Sequence, residues 1–295
     1  MIVALLVSLR PRQWTKNLLL FAGVLFSRQL AHPDMALRAG AGFLAFCLLS
    51  GAGYLINDLR DAEADRQHAT KRNRPIPSGV LPAGVAMVAL VPLLAGVLGT
   101  VAWLGPGFGW VAVAYLALNL AYTLALKRQV LLDVFAISIG FVLRAIAGVE
   151  LLRPVALDIE LSPWLLVCTF FGALFLALAK RRRELANAGT HAASQRSVLE
   201  HYSPELLDGL LWVTAAASLI AYALYTIWPG TVAKFGTEAL LYTVPFVAYG
   251  IFRYLYLVRA TALGEDPAFV LLSDGPLASC VGLYLAVVLL ILYRS

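Results

Sequence analysis

The stretch "GYLINDLRDAEADRQHATKRNRPIPSG", residues 53–79, places a dense group of charges directly behind an apolar segment. Within it, Asn57, Asp61 and Asp65 are spaced at i, i+4 and i+8, and Asp58 lies three residues before Asp61. On a helix that continues from the apolar residues, these four side chains share one face. The spacing therefore predicts an acidic stripe at the end of a long helix.

The chain around this stretch is far more apolar than a soluble domain. Of its 295 residues, 61% are hydrophobic and 14% are charged, against roughly 45–50% and 25% in soluble proteins. Eight apolar runs approach the ~20 residues that cross a bilayer: 36–57, 84–104, 108–126, 131–149, 162–179, 206–228, 238–258 and 271–293. A ninth, shorter run lies near residues 14–30, and we interpret residues 1–13 as an interfacial segment.

Basic residues indicate how the spans are oriented. If the 14–30 run is the first span, Lys and Arg cluster before it and after the second, fourth, sixth and eighth spans. This asymmetry predicts an all-α membrane protein with nine transmembrane helices and a cytosolic N-terminus. A cytoplasmic membrane face accounts for the net charge of +6, so no nucleic-acid partner is required. Since no linker interrupts the pattern, we expect a single domain over residues 1–295.

The acidic stripe needs a positive partner, because like charges at this spacing repel each other and partial burial raises the cost. One interpretation is Mg2+, which binds through a few carboxylates, substrate phosphates and waters. The other is that Arg60, Arg66 and Arg72 neutralise a solvated helix end. Glu63 lies off the stripe and is predicted to be solvated. The cysteines and histidines show no metal-ligand spacing.

A magnesium ion held by carboxylates suits the departure of a diphosphate, because the metal neutralises charge that grows on the leaving group. Lys71, Arg72 and Arg74 follow the stripe directly and are predicted to hold phosphate oxygens. Bases at other helix ends are further candidates, although each alone is typical of a cytoplasmic anchor: Lys16, Lys127, Arg128, Lys180 and Arg181.

Two charged residues lie within one apolar run. Asp133 and Arg144 are eleven residues apart, so they lie on nearly the same face of a helix. At a rise of about 1.5 Å per residue, the distance between them is too long for a direct ion pair. Arg144 lies deep in the span and either lines a polar cavity or meets another buried acid. Asp133 lies nearer the cytosolic end and is the better functional candidate.

Several segments resemble one family. The segment "NDLRDAEADR" resembles the NDxxDxxxD motif of the UbiA superfamily of membrane prenyltransferases, and "YTLALKR", residues 122–128, resembles the polar element after their fourth helix. Within that superfamily, "RPRQWTKN", "GFVLRAIAG" and "AKRRREL" are most similar to bacterial polyprenyl-phosphate (decaprenyl-phosphate) phosphoribosyltransferases. The resemblance covers nearly the whole chain.

The resemblance implies nine helices around a central cavity, with the active site on the cytosolic side, in the bacterial inner (plasma) membrane. It also implies Mg2+ as cofactor, phosphoribosyl pyrophosphate and a polyprenyl phosphate as substrates, and a homo-oligomer such as a trimer. The predicted metal ligands are Asn57, Asp58, Asp61 and Asp65, and the three acids among them are the predicted catalytic residues. The predicted substrate-binding residues are Lys16, Asn57, Lys71, Arg72, Arg74, Tyr122, Lys127, Asp133, Lys180 and Arg181.

The residues are compatible with three functions. Phosphoribosyl transfer to a lipid phosphate needs no strong base, because the attacking oxygen is already an anion. Prenyl transfer to an aromatic precursor uses the same metal motif, but the resemblance leads us to expect a second DxxxD motif, whereas Ile137 follows Asp133 at that spacing. A transporter would carry charge near the bilayer midplane, where only Arg144 fits. The first function is favoured.

Overall fold

A computed structural model describes residues 1–27, 32–67, 71–156, 159–188, 197–260 and 267–294. Every regular element in these ranges is helical, as the all-α prediction requires. The α-helices are α1 (Ile2–Ser8), α2 (Phe21–Phe26), α3 (Pro33–Arg66), α4 (Ala83–Leu104), α5 (Pro106–Leu124), α6 (Leu132–Glu150), α7 (Pro163–Ala188), α8 (Pro204–Ile227), α9 (Pro229–Phe235), α10 (Val244–Ala260), α11 (Pro267–Ser273) and α12 (Gly275–Arg294). Short 3-10 helices cover Pro11–Leu20, Lys71–Asn73, Leu126–Arg128, Ser197–His201 and Ala239–Thr243.

Eight helical segments of the described chain are long and apolar enough to cross a membrane. They coincide with the eight longer runs found in the sequence, which confirms those predictions: Pro33–Arg66, Ala83–Leu104, Pro106–Leu124, Leu132–Glu150, Pro163–Asn187, Pro204–Ile227, Ala239–Arg259 and Gly275–Tyr293. The shorter run near 14–30 begins in the 3-10 helix Pro11–Leu20 and continues into α2, and its last residues lie outside the described ranges. A ninth crossing therefore stays a prediction.

The chain separates into two compact units. The first comprises Met1–Lys127 and Gly140–Leu161, and the second comprises Arg128–Ile139 and Ser162–Ser295. Helix α6 contributes residues to both units. The single-domain expectation stays a prediction.

Helix α3 organises the first unit. Its 34 residues span roughly 50 Å at 1.5 Å per residue, well beyond the ~30 Å apolar thickness of a bilayer. The helix packs against α4, α5 and the 3-10 helix Pro11–Leu20. A Cβ atom on Gly51 would lie 2.8 Å from Leu9 Cδ2, so this glycine allows the N-terminal segment to approach α3 closely. The polar end of α3 therefore has the start of the chain beside it.

A second close approach holds the N-terminal segment to α6. A Cβ atom on Gly23 would lie 2.0 Å from the carbonyl oxygen of Gly148, and one on Gly148 would lie 2.3 Å from that of Leu20. The backbones therefore pack directly against each other, as small residues permit between membrane helices. This contact brings Asn17, three residues before Leu20, next to α6.

The second unit is built on α7 and α8, which pack along each other, with α10 packed against α8 and α12. Its core is apolar and includes Leu174, Leu178 and Leu211, each less than a tenth exposed. Helix α8 begins with a side-chain cap, in which the Leu206 N–H donates to Ser203 Oγ at 3.1 Å. This unit also buries charged side chains, among them Asp133 and Arg181.

Candidate active site

The predicted acidic stripe lies on the last turns of α3. The helix continues without a break to Arg66, so Asn57, Asp58, Asp61 and Asp65 keep their helical spacing. Asp58 and Asp65 are buried, at 2% and 5% exposure. Glu63 is exposed, which confirms its prediction as a solvated acid.

Two arginines share the buried acids of the stripe. Arg10 Nη2 donates to Asp58 Oδ1 at 2.6 Å. Arg74 Nη1 contacts the same Asp58 oxygen at 3.2 Å and Asp65 Oδ2 at 2.7 Å. Lys71 Nζ lies 4.0 Å from Asp65 Oδ1. Hydrogen bonds from charged donors to carboxylates are the stronger kind, so these contacts fix the positions of both acids.

Lys127 pairs with the remaining acid of the stripe. It lies in the 3-10 helix that follows α5, and its ammonium group donates to Asp61 Oδ2 and, at 3.4 Å, to Asn57 Oδ1. Within this cluster, three carboxylates meet four bases, which leaves a surplus of one positive charge. The four bases are between 18% and 34% exposed. The arrangement can therefore receive an anionic ligand from solvent.

The sequence reasoning missed Arg10 as a residue of this site. Its guanidinium stacks on the Tyr54 ring at 4.5 Å from the centroid, and its backbone has a φ of 52°, in the left-handed region that non-glycine residues rarely adopt. Such strain persists only where surrounding contacts enforce it. The available signal was its position in "RPRQWTKN", but 48 residues separate Arg10 from Asp58 along the chain.

The donor chemistry of the stripe fits Mg2+, since every predicted ligand offers oxygen. In the described ranges, however, no three His, Cys, Asp or Glu side chains are grouped closely enough to hold a metal ion. Basic side chains lie against the carboxylates instead. A cation can bind here only if some of these bases turn away from the acids.

Asp133 lies in a closed network of the second unit. It is 0% exposed and accepts from Arg181 Nε at 2.6 Å and from the Tyr202 hydroxyl at 2.7 Å. Arg181 is 1% exposed and also pairs with Glu184. The Leu131 N–H, at a residue with a φ of 67°, donates to the Tyr202 hydroxyl at 2.8 Å. Burial, followed by the hydrogen bond to Asp133, raises the pKa of Tyr202 above its ordinary value.

The closed network favours a packing role for Asp133 and Arg181, and their predicted contact with substrate stays a prediction. Lys180 is 39% exposed and lies 3.8 Å from Glu184. Lys16 and Tyr122 are half-buried in the first unit, and Arg72 is exposed next to Lys71.

Arg144 meets neutral groups in the first unit. Nε donates to Asn17 Oδ1 at 2.7 Å, Nη1 to the Gly140 carbonyl at 2.8 Å, and Nη2 to the Tyr115 hydroxyl at 2.6 Å. Of the two alternatives left open by the sequence, pairing with a buried acid finds no support among the described residues.

Comparisons with known proteins agree with this architecture. A profile of the UbiA prenyltransferase family matches residues 17–275. The chain is 37% identical over 285 residues to decaprenyl-phosphate phosphoribosyltransferase of Mycolicibacterium smegmatis, covering 93% of this chain and 87% of that one. It is 39% identical over 276 residues to the protein of that name from Corynebacterium glutamicum, covering 90% and 80%.

A solved structure shows the same fold at low sequence identity. The UbiA homolog from Archaeoglobus fulgidus, bound to DMAPP and Mg2+, superposes with a TM-score of 0.71 at 19% identity, covering 98% of both chains. Eight apolar helices, the shared fold and the extent of the sequence match lead to one conclusion. The chain belongs to the UbiA prenyltransferase family and is a multi-pass membrane protein.

Proposed function

We propose that the protein transfers 5-phosphoribose from phosphoribosyl pyrophosphate to a polyprenyl phosphate such as decaprenyl phosphate, with release of pyrophosphate. The observation that carries the proposal is the partly exposed, net positive cluster around the three carboxylates at the end of α3. Both substrates are phosphorylated, so a surplus of bases suits them better than it suits an uncharged aromatic acceptor. The names of the similar curated enzymes support the same choice.

The proposed reaction exchanges one bond at ribose C1. The bond from C1 to pyrophosphate oxygen breaks, and its electron pair leaves with pyrophosphate. An oxygen of the lipid phosphate forms the new bond to C1. Because that oxygen is already an anion, the protein needs no strong general base. Its contribution is to position the two substrates and to neutralise charge on the leaving group.

The residues of the cluster divide this work. Asn57, Asp58, Asp61 and Asp65 would hold Mg2+, which when bound supplies positive charge to the departing diphosphate. Arg10, Arg74 and Lys127, now on the carboxylates, would turn to the phosphate oxygens of the donor. Arginine suits this task because its planar donors match phosphate oxygens. Further proposed substrate contacts are Lys16, Lys71, Arg72, Tyr122, Asp133, Lys180 and Arg181.

We further propose that the chain forms one domain with nine crossings around a central cavity, with its N-terminus and active site on the cytosolic side of the bacterial plasma membrane. Helix α1 supports an interfacial start, because Ala4 and Ser8 are buried while Ile2, Val3 and Leu6 are exposed. The length of α3 supports a site beyond the apolar layer. A homotrimer stays a proposal from family resemblance.

A direct assay tests the function. Purified protein is incubated with Mg2+, phosphoribosyl pyrophosphate and a polyprenyl phosphate, and we expect pyrophosphate together with a lipid-linked phosphoribose. Omission of either Mg2+ or the polyprenyl phosphate is expected to abolish the release of pyrophosphate. A parallel reaction contains a prenyl diphosphate and an aromatic acceptor. Turnover in that reaction, with none in the first, would refute the proposal in favour of prenyl transfer.

A further inference from the structure

Arg144 keeps an uncompensated charge inside a membrane-spanning helix. It is 6% exposed, and its three hydrogen-bond acceptors, on Asn17, Gly140 and Tyr115, are all neutral. Among the residues that the structure describes, no carboxylate oxygen lies within ion-pair distance of Arg144. The guanidinium also stacks on the Tyr115 ring at 4.7 Å and on the Phe141 ring at 5.3 Å.

Such a charge is costly, because removing a cation from water is repaid only by a counter-charge or by a polar cavity. Arg181, another buried arginine of the described membrane helices, obtains its counter-charges from Asp133 and Glu184. The neutral acceptors around Arg144 hold its orientation but leave its charge in place. The three hydrogen bonds use three of the five N–H donors of a guanidinium, and two donors remain for a ligand.

The charge lies deeper in the apolar part of α3 than the acidic stripe: its partner Asn17 also contacts Cys47 and Ser50 of α3, and Ser50 lies about two helical turns before Asp58. Tyr54 lies between these two levels, one helical turn before Asp58. Arg10 stacks on Tyr54 and pairs with Asp58. From the stripe inwards along α3, the order is thus the carboxylates, Tyr54, and the level at which Asn17 holds Arg144.

We propose that Arg144 binds the phosphate group of the lipid acceptor and gives the protein its preference for a phosphorylated polyprenyl chain over an uncharged one. The inference rests on the proposed function and names the residue that recognises the acceptor. Phosphoribosyl pyrophosphate is water-soluble and reaches the stripe from its exposed bases. The lipid has its chain in the bilayer, so its phosphate approaches from the apolar side, where Arg144 lies. Guanidinium donors match phosphate oxygens well.

Four substitutions separate the effect of the Arg144 charge from the effect of its packing. Asn17→Asp places a carboxylate where the amide oxygen now accepts from Arg144, so the hydrogen bond is kept while the charge is cancelled. Arg144→Gln removes the charge itself. Tyr115→Phe deletes one hydrogen bond and keeps the charge. Arg153→Gln is the matched control, because Arg153 follows the same helix, is 47% exposed and pairs with Glu150 at 2.8 Å.

The measurement is equilibrium binding of farnesyl phosphate and of farnesol to each purified variant, without donor or Mg2+. The wild-type protein is expected to prefer the phosphate. Asn17→Asp and Arg144→Gln are expected to lower that preference about tenfold or more, the ratio that follows from losing a charged hydrogen-bond donor. Tyr115→Phe and Arg153→Gln are expected to keep the preference within about twofold. Thermal unfolding checks that each variant is folded.

Three results would overturn the inference: equal binding of both lipids by the wild-type protein, an unchanged preference in folded Asn17→Asp, or an equal loss in Tyr115→Phe. The proposed function fails separately. If the preference depends on Arg144 but no transfer from phosphoribosyl pyrophosphate occurs, only the function is refuted. If transfer occurs and the preference is independent of Arg144, only the inference is refuted.

Discussion

Two charged clusters, one in each unit, differ in how far solvent reaches them. Around Asp58 and Asp65, the partner side chains Arg10 and Arg74 are 27% and 29% exposed. Asp133 and its partner Arg181 are 0% and 1% exposed. The first cluster has more bases than acids and can exchange partners. In the second, the Tyr202 hydroxyl donates to Asp133 Oδ1, while Arg181 donates to Oδ2. An aspartate paired with an arginine is thus a candidate for chemistry in one unit and for stability in the other.

The largest effect on stability is expected from Asp133→Asn. The substitution removes one of the two acids that pair with the buried Arg181 and leaves only Glu184, and breaking a buried pair costs about 3–5 kcal/mol. Thermal unfolding in detergent measures the loss. Asp208→Asn is the control, because Asp208 is 26% exposed beside Arg182 and its loss should cost no more than about 1 kcal/mol. Unchanged stability with lost turnover would show that Asp133 contacts substrate.

The largest effect on activity is expected from Asp61→Asn. Asp61 is 25% exposed, so the protein should remain folded, while loss of a group that stabilises the leaving diphosphate lowers turnover by about 10²–10³-fold. Pyrophosphate release measures the change. Glu63→Gln, on the same helix but off the stripe, should stay within about twofold of wild type. Full activity in Asp61→Asn would exclude the stripe as the metal site.

A smaller effect is expected from Arg10→Gln. If Arg10 turns from Asp58 to bind phosphoribosyl pyrophosphate, the substitution removes one charged hydrogen bond to that substrate. The KM for phosphoribosyl pyrophosphate should then rise by about tenfold. Initial rates at varied donor concentration give the KM. Arg12→Gln, at an exposed position of the same segment, serves as the control. A change in melting temperature without a change in KM would restrict Arg10 to packing.

The smallest effect is expected from Tyr202→Phe. It removes a hydrogen bond to Asp133 and leaves the Leu131 N–H unpaired, at a cost of about 1–2 kcal/mol. The raised pKa of Tyr202 adds a pH dependence: the unfolded chain loses this proton first, so stability falls as pH rises above ~10. The stability of Tyr202→Phe should fall less steeply with pH than that of the wild-type protein. Thermal unfolding at several pH values above ~10 measures this dependence. If the melting temperatures of variant and wild type fall equally with pH, the hydrogen-bonded role of the Tyr202 hydroxyl is contradicted.

Much of the fold could be predicted from the sequence. Eight apolar runs became eight helices, and the acidic residues of α3 kept the predicted face. The partners of those acids were predicted less well. The alternative interpretation, neutralisation by Arg60 and Arg66, finds no support among the described contacts, because Arg60 donates to the Thr123 carbonyl and Arg66 to the Pro77 carbonyl.

The sequence by itself determined the helices, their apolar lengths and the acidic stripe, because periodicity and span length are properties of neighbouring residues. Only the tertiary structure decided which bases meet the stripe, since Lys127 lies 66 residues from Asp61. It also decided that Asp133 forms an ion pair with Arg181 and that Arg144 donates hydrogen bonds to neutral groups. These contacts join segments that are far apart in the chain, so they depend on how the helices pack, and the charge balance around each side chain follows from its partners and its burial.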